Sequence, residues 1–217
     1  MNNRWNTILF DLDGTLTDPG EGITASVQYA LSHFGLGEQS REQLDRFIGP
    51  PLVDSFVEYY GFSPAQAAEA AAKYREAYQD GGIFQNVPYP GIHETLEALV
   101  AEGKTLMVAT SKPWVFARRI LEHFDLSGYF TFVGGSELDG TRTRKAEVIA
   151  HVLAENGLTD LGEVIMVGDR RHDVEGAHAC GLGCVGVAYG YGGEEELRRA
   201  GAVAVAESLS ELLEILC

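Results

Sequence analysis

Two aspartates separated by one residue follow an apolar run near the start of the chain. Asp11 and Asp13 come directly after residues Trp5 to Phe10, a run typical of a buried β-strand, and Gly14 permits a sharp turn behind them. Residues two apart in extended backbone project to the same side, so the two carboxylates lie close together. Such a pair is costly unless a cation or a shared proton compensates it. The pattern therefore indicates metal-assisted chemistry on an anionic group and favours phosphate.

More acidic residues follow a later apolar run that also reads as a buried strand. Asp169 and Asp173 come after the run that ends at Val167. In an open parallel sheet the ligand site lies outside the carboxyl ends of the strands, so these acids are expected to share one edge with Asp11 and Asp13. An oxygen-lined site of this kind suits Mg²⁺, which binds few carboxylates and keeps water and substrate oxygens. Any one of these aspartates, taken singly, fits a helix cap or a turn equally well.

Hydroxyl and amine groups are predicted at the same edge. Thr110 and Ser111 fall between a buried strand and a helix, where hydroxyls and backbone amides can bind phosphate, although simple N-capping is the alternative. Lys145 opens a later helix, where its charge opposes the helix macrodipole. That position favours a paired role for the lysine over a place on the surface.

The order of the elements predicts the fold class. From residue 88 onward, short apolar strands alternate with amphipathic helices, which indicates a parallel sheet covered on both faces. Before that lie about 65 helical residues, with capping signals at Ser40 and at Ser63-Pro64. We expect an α/β protein with a doubly wound, Rossmann-like parallel sheet as its catalytic core (1–17 and 88–217). An α-helical cap (18–87) is inserted into that core.

Composition narrows the possible partners. The formal net charge of −16 argues against a broad phosphate-neutralising surface, so no nucleic acid polymer is expected as a partner. The apolar run near the N-terminus is too short for a signal peptide or a membrane span. The chain contains three cysteines, Cys180, Cys184 and Cys217, which form no recognisable disulfide framework. We therefore expect a cytoplasmic protein without membrane association; no oligomeric state is predicted.

These residues together resemble the motifs of the haloacid dehalogenase-like hydrolase superfamily. Four segments carry the resemblance, in order along the chain: Asp11 to Asp18; Val108 to Thr110 with Ser111 to Pro113; Lys145 with Val148 and Ile149; and Gly168, Asp169 and Asp173. The helical insertion resembles the superfamily's small α-helical cap. Within the superfamily the chain looks like the phosphoglycolate phosphatases and the related bacterial 5′-nucleotidase-like branch. Residues 47–52 and 135–142 resemble the latter.

The resemblance implies a role for each acid at the edge. Asp11 would attack phosphorus and form an aspartyl-phosphate. Asp13 would protonate the leaving alcohol and then activate the hydrolytic water. Mg²⁺ would be held by Asp11, the backbone carbonyl of Asp13 and Asp169, with Asp173 as a further ligand, direct or through water.

The same resemblance implies how the phosphoryl group is bound and what the substrate is. Lys145 would pair with Asp11 and a phosphoryl oxygen, while Thr110 and the Ser111 amide would bind the other oxygens. The substrate would be a small phosphate ester, either a nucleoside 5′-monophosphate or 2-phosphoglycolate. Selection would fall to the cap, where Gly49 with its neighbouring prolines forms either a loop toward the substrate or a plain turn between helices.

Three other activities share features with the predicted phosphatase. A dehalogenase needs no second acid such as Asp13. A phosphomutase of the β-phosphoglucomutase type uses the same core and remains the alternative. A non-enzymatic phosphoacceptor and metal-binding signalling module, similar to bacterial receivers, would carry its acceptor on a later strand and lack a cap.

Overall fold

The computed structural model describes residues 5–217 and divides into two compact units. The first unit comprises Met1–Thr17 and Pro88–Cys217, and the second comprises Asp18–Val87. The strands are β1 Thr7–Phe10, β2 Thr17–Asp18, β3 Val87–Pro88, β4 Thr105–Pro113, β5 Phe130–Ser136, β6 Val164–Gly168, β7 Gly183–Val187 and β8 Ala204–Ala206. Strands β2 and β3, where the chain crosses between the units, pair as a separate two-stranded sheet.

Six strands of the first unit form one parallel sheet in the order β5-β4-β1-β6-β7-β8. This confirms the predicted α/β class and its parallel sheet. Strand β1 is central, and Phe10 at its end is in register with Val108 of β4 and Val167 of β6. The residues that follow these three positions therefore emerge at one edge of the sheet.

The helices of the first unit are α5 Ile92–Ala101, α6 Trp114–His123, α7 Lys145–Glu155, α8 Arg171–Ala179, α9 Gly193–Ala200 and α10 Leu209–Leu216. Leu9 of β1 packs in a buried cluster with Val148 of α7 and Val174 of α8. Ile8 and Phe10 are equally buried and point to the opposite face, because side chains alternate along a strand. Both faces of the sheet are thus covered, which is why its strands read as continuous apolar runs.

The second unit is entirely helical apart from its strand ends. Its helices are α1 Gly20–His33, α2 Arg41–Asp45, α3 Leu52–Tyr60 and α4 Pro64–Gln79. Ser40 and Ser63 form the capping boxes that the sequence predicted, each accepting a hydrogen bond from the third helical residue. Phe47 and Phe56 pack with ring centroids 4.9 Å apart, so aromatic side chains form part of this unit's core.

One strand boundary and one helix differ from what the sequence predicts. Strand β4 extends through Pro113, whereas the apolar run ends at Ala109, because polar residues continue the extended backbone at the sheet's edge. Helix α9 was not predicted, because it is short and so polar that Leu197 is its one buried residue, which leaves too few apolar positions to indicate a helix.

Candidate active site

Three carboxylates meet at the edge of the sheet. Asp11 follows β1, Asp169 follows β6 and Asp173 lies in the first turn of α8; each offers an oxygen within 4.8 Å of the others. Their relative exposures are 3%, 0% and 1%. Burial of three acids so close together is unfavourable without compensating positive charge. The predicted convergence of these strand ends is therefore present.

Lys145 supplies one positive charge to this cluster. It is the first residue of α7, and its Nζ lies 2.7 Å from Asp11 Oδ1 and 2.8 Å from Asp173 Oδ1. The same ammonium donates a 3.0 Å hydrogen bond to the Ala109 carbonyl in β4. Burial acts to lower the pKa of Lys145, but the carboxylates of Asp11 and Asp173 outweigh it and raise the pKa above its usual range. Lys145 thus stays charged and connects α7 to the end of β1, to β4 and to α8.

Asp169 is held by backbone rather than by a charged side chain. The Tyr191 N–H donates to its Oδ2 at 2.7 Å, while its Oδ1 is buried with no hydrogen-bond partner within residues 5–217. Gly14, with φ +82°, leaves the space that Asp169 occupies, since a Cβ there would lie 2.1 Å from Oδ2. Burial raises the pKa of Asp169 well above its ordinary value, and the charges of Asp173 and Asp11 raise it further.

Asp173 is shared between the lysine and the helix N-terminus. Its Oδ2 accepts a 3.0 Å hydrogen bond from the Arg170 N–H, which caps α8. Burial raises the pKa of Asp173 to about 6, although the Lys145 ammonium acts in the opposite direction. The charged form of the Asp173 carboxyl group is therefore less favourable in the cluster than it would be in water.

The cluster fits a hard divalent cation. Three buried carboxylates converge, one of them with an unpartnered oxygen, and one lysine offsets only part of their charge. Oxygen donors of this kind are the ligands that Mg²⁺ and similar ions prefer. Asp11, Asp169 and Asp173 are the residues able to hold such an ion.

The carboxylate of Asp13 is not part of this cluster. Its two oxygens lie 2.7 Å and 2.5 Å from Nζ of Lys112, which comes from the end of β4. Both residues are buried. Burial raises the pKa of Asp13, while the Lys112 ammonium acts to lower it. The expected contribution of Asp13 to metal binding is its backbone carbonyl, which stays a prediction.

The candidate phosphate-binding residues lie in the last residues of β4 rather than in a loop. Thr110 is buried, and its hydroxyl accepts a 3.2 Å hydrogen bond from the Lys112 N–H. Ser111 is half-buried, and its carbonyl accepts from the Ser136 hydroxyl at 2.8 Å. The carbonyl of Ala109, just before Thr110, receives the Lys145 ammonium. The ammonium of Lys145, which comes from α7, therefore reaches the end of β4 next to Thr110.

Gly49 belongs to the helical unit, between α2 and α3, and has φ +102°. A backbone of this kind is strained for residues with a side chain, so a glycine is required there for the turn itself. Its role toward a substrate stays a prediction.

Sequence reasoning missed three contributors to the site: the pairing of Lys112 with Asp13, the Tyr191 amide on Asp169, and the close approach of Gly176 to Lys145. Lys112 carried a usable signal, because in extended backbone it shares a face with Thr110, two residues earlier. The other two depend on distant segments and leave no local pattern.

None of the helices within residues 5–217 combines the length and apolar character that crossing a membrane requires.

Comparison with known proteins identifies the family. The family model described as haloacid dehalogenase-like hydrolase matches residues 8–187. A Pseudomonas aeruginosa protein named 5′-nucleotidase is 53% identical over 195 residues, covering 90% of this chain and 88% of that protein. A Vibrio parahaemolyticus protein named phosphoglycolate phosphatase is 32% identical, with 96% of this chain and 94% of that protein covered.

One relative has a different name, and one solved structure supports the fold. A Mycobacterium tuberculosis protein named tyrosine-protein kinase PtkA is 39% identical, with 96% of this chain and 72% of that protein covered. The crystal structure of a predicted phosphatase from Clostridium acetobutylicum superposes with a TM-score of 0.96 at 44% identity and covers 98% of both chains. The chain belongs to the haloacid dehalogenase-like hydrolase family and is an enzyme of its phosphatase type.

Proposed function

We propose that this chain is a Mg²⁺-dependent phosphomonoesterase that hydrolyses a small phosphate ester through an aspartyl-phosphate intermediate. The observation that carries the proposal is the contact of Lys145 with both Asp11 and Asp173, beside the unpartnered oxygen of Asp169. A carboxylate, a fixed ammonium and two more acids are the groups that phosphoryl transfer to an aspartate requires.

In the proposed first step, Asp11 is the nucleophile. One of its carboxylate oxygens forms a bond to phosphorus as the bond between phosphorus and the ester oxygen breaks. Lys145, already in contact with Asp11, would bind a phosphoryl oxygen, and Thr110 and the Ser111 amide would bind the others. The residues position charge around the phosphoryl group, which is the main source of catalysis in this chemistry.

Asp13 would act first as the general acid and then as the general base. Its carboxyl group gives a proton to the departing ester oxygen, which leaves as an alcohol, and its carboxylate then takes a proton from the water that hydrolyses the aspartyl-phosphate. The two steps regenerate Asp11 and release inorganic phosphate.

A divalent cation would be held by Asp11, Asp169 and Asp173 with the Asp13 carbonyl, and would neutralise phosphate charge there. The three convergent carboxylates support this assignment. Mg²⁺ is proposed because the donors are all oxygens.

Nucleoside 5′-monophosphates are the substrates we propose to test first, followed by 2-phosphoglycolate. The order follows the names of the two relatives at 53% and 32% identity. We further propose that Asp18–Val87 acts as a cap that selects the substrate and that Gly49 takes part in this selection. A cytoplasmic location is proposed because all three cysteines are free.

A screen for phosphate release tests the proposal. Nucleoside 5′-monophosphates, 2-phosphoglycolate and sugar phosphates are each incubated with the protein, with and without Mg²⁺. We expect turnover that requires Mg²⁺ and is highest with the first class. Conversion of a sugar phosphate to its isomer without release of phosphate would indicate a mutase, and absence of turnover by folded protein would indicate a signalling module.

The Asp11→Asn variant tests the nucleophile. It should lose turnover while keeping the fold, because an amide cannot form the aspartyl-phosphate. Asp125→Asn is the matched control, since Asp125 is exposed and its positive φ of 56° suits asparagine. Wild-type rates in Asp11→Asn would refute the assignment.

A further inference from the structure

Lys112 and Asp13 form a buried ion pair, and the activity described above gives no role to its lysine. Nζ of Lys112 lies 2.7 Å from Asp13 Oδ1 and 2.5 Å from Oδ2, and the side chains are 5% and 10% exposed. A buried ion pair gains little net stability, because removing both groups from water costs about as much as their attraction returns. Stability alone therefore does not account for a lysine at this position.

The contact fixes the orientation of the Asp13 carboxyl group. The terminal torsion of an aspartate is broad, so a carboxyl group without partners samples many orientations. A single ammonium in contact with both oxygens restricts that torsion. It comes from β4, a different segment from the one that carries Asp13.

Lys112 is itself held rigidly. Its N–H donates to the Thr110 hydroxyl at 3.2 Å, and the preceding carbonyl, of Ser111, accepts from the Ser136 hydroxyl at 2.8 Å. Gly135 of β5 lies directly against it, since a Cβ there would be 2.5 Å from the Lys112 carbonyl oxygen. A support of this kind satisfies the requirement that a positioning group be more rigid than the group it positions.

From this geometry we infer that Lys112 is a positioning residue for proton transfer by Asp13. The inference rests on the proposed function. When the ester bond breaks, the proton of the Asp13 carboxyl group moves to the leaving oxygen and Asp13 becomes a carboxylate. The Lys112 ammonium lies beside the charge formed in that step and holds the group in the orientation required for it.

The dependence of rate on the leaving group tests this role. Departure of an alkoxide requires a proton, whereas p-nitrophenolate departs without one. The ratio of kcat/KM for an alkyl phosphate to kcat/KM for p-nitrophenyl phosphate therefore reports proton donation in the first step. In Lys112→Met we expect kcat/KM for the alkyl ester to fall by about 10²-fold and that for the aryl ester by less than about 10-fold. Equal losses, no loss, or a gain with the alkyl ester would overturn the inference.

Lys104→Met is the matched control. Lys104 is also buried and donates to the Trp5 carbonyl at 2.6 Å, but it lies next to the opposite end of β4. Its replacement should lower the melting temperature and leave the alkyl-to-aryl ratio unchanged. Should Lys112→Met fail to fold, Lys112→Gln keeps a hydrogen-bond donor but lacks the charge, and the same loss in the ratio is expected.

A double variant separates action through Asp13 from direct contact with phosphate. In the Asp13→Asn background, Lys112→Met should change kcat/KM for the aryl ester by less than about threefold, because the carboxyl group that Lys112 positions is gone. A further loss as large as in the wild-type background would overturn the inference. Absence of turnover by the wild-type protein would instead refute the proposed function.

Discussion

A methyl group on Gly176 would lie 2.7 Å from Cγ and 2.8 Å from Cβ of Lys145. Helices α7 and α8 therefore pack closely enough at this point to confine the base of the lysine side chain. The approach of α8 sets the path by which the ammonium reaches Asp11 and Asp173.

Gly176→Ala should displace Lys145 and reduce turnover by about 10²-fold, since errors of about 1 Å in a catalytic group have effects of this size. The atoms in conflict are near the backbone and cannot move aside as a flexible side-chain end would. Steady-state phosphate release measures the effect. Gly128→Ala is the control, since a Cβ there meets no atom within 4 Å, and it should keep wild-type rates. Wild-type rates in Gly176→Ala would show that turnover does not depend on this placement of Lys145.

Asp13→Asn should slow turnover of alkyl phosphates by about 10²-fold to 10⁴-fold, because an amide neither donates nor accepts the transferred proton. The side chain keeps its size, and the fold should persist by circular dichroism. The measurement is steady-state phosphate release beside the Asp125→Asn control. A near-normal rate would remove Asp13 from the proposed proton transfer.

The binding of Mg²⁺ should weaken as the pH falls through about 6. The pKa of Asp173 is raised to about 6 and that of Asp169 well above its ordinary value, so at lower pH a bound cation must displace protons. The increase in melting temperature produced by Mg²⁺ should therefore be large at pH 7.5 and small at pH 5. An increase that is equal at both pH values would contradict the assigned ligands.

In the metal-free protein, the raised pKa of Asp173 predicts a contribution to the free energy of unfolding that decreases as the pH rises. A carboxyl group whose pKa is raised on folding binds more protons in the native than in the unfolded state. The contribution of Asp173 to the free energy of unfolding is thus fully present below about pH 4, its ordinary range, and is lost as the pH rises through about 6. Denaturant unfolding of metal-free protein at a series of pH values measures it.

Thiol labelling should distinguish the three cysteines. Cys184 is fully buried, and burial raises the pKa of its thiol well above the ordinary value, while Cys180 and Cys217 are partly exposed. A chromogenic disulfide reagent at pH 8 should react with two thiols in the native protein and with the third only after unfolding. Cys184→Ala should abolish the late reaction; rapid labelling of Cys184 in folded protein would contradict its burial.

Local patterns in the sequence were sufficient for the scaffold and for most of the acids. Buried strands appear as apolar runs, and because the strands are parallel, the residues after Phe10 and Val167 had to reach one edge. The capping boxes at Ser40 and Ser63 were equally predictable from the sequence, since each is complete within four residues. Helix α9 was not predictable in this way, because its eight residues include too few apolar positions to reveal a helical spacing.

The pairing of the charges was decided by the tertiary structure. The sequence placed Asp11, Asp13 and Lys145 near one another. The spacing of Lys112 from Thr110 indicates a shared face, but no local pattern pairs that lysine with Asp13, which is 99 residues away. Which ammonium meets which carboxylate depends on the register of β1 with β4 and on how closely α8 approaches α7. Periodicity and propensity act over a few residues, whereas these distances are set by packing between distant segments.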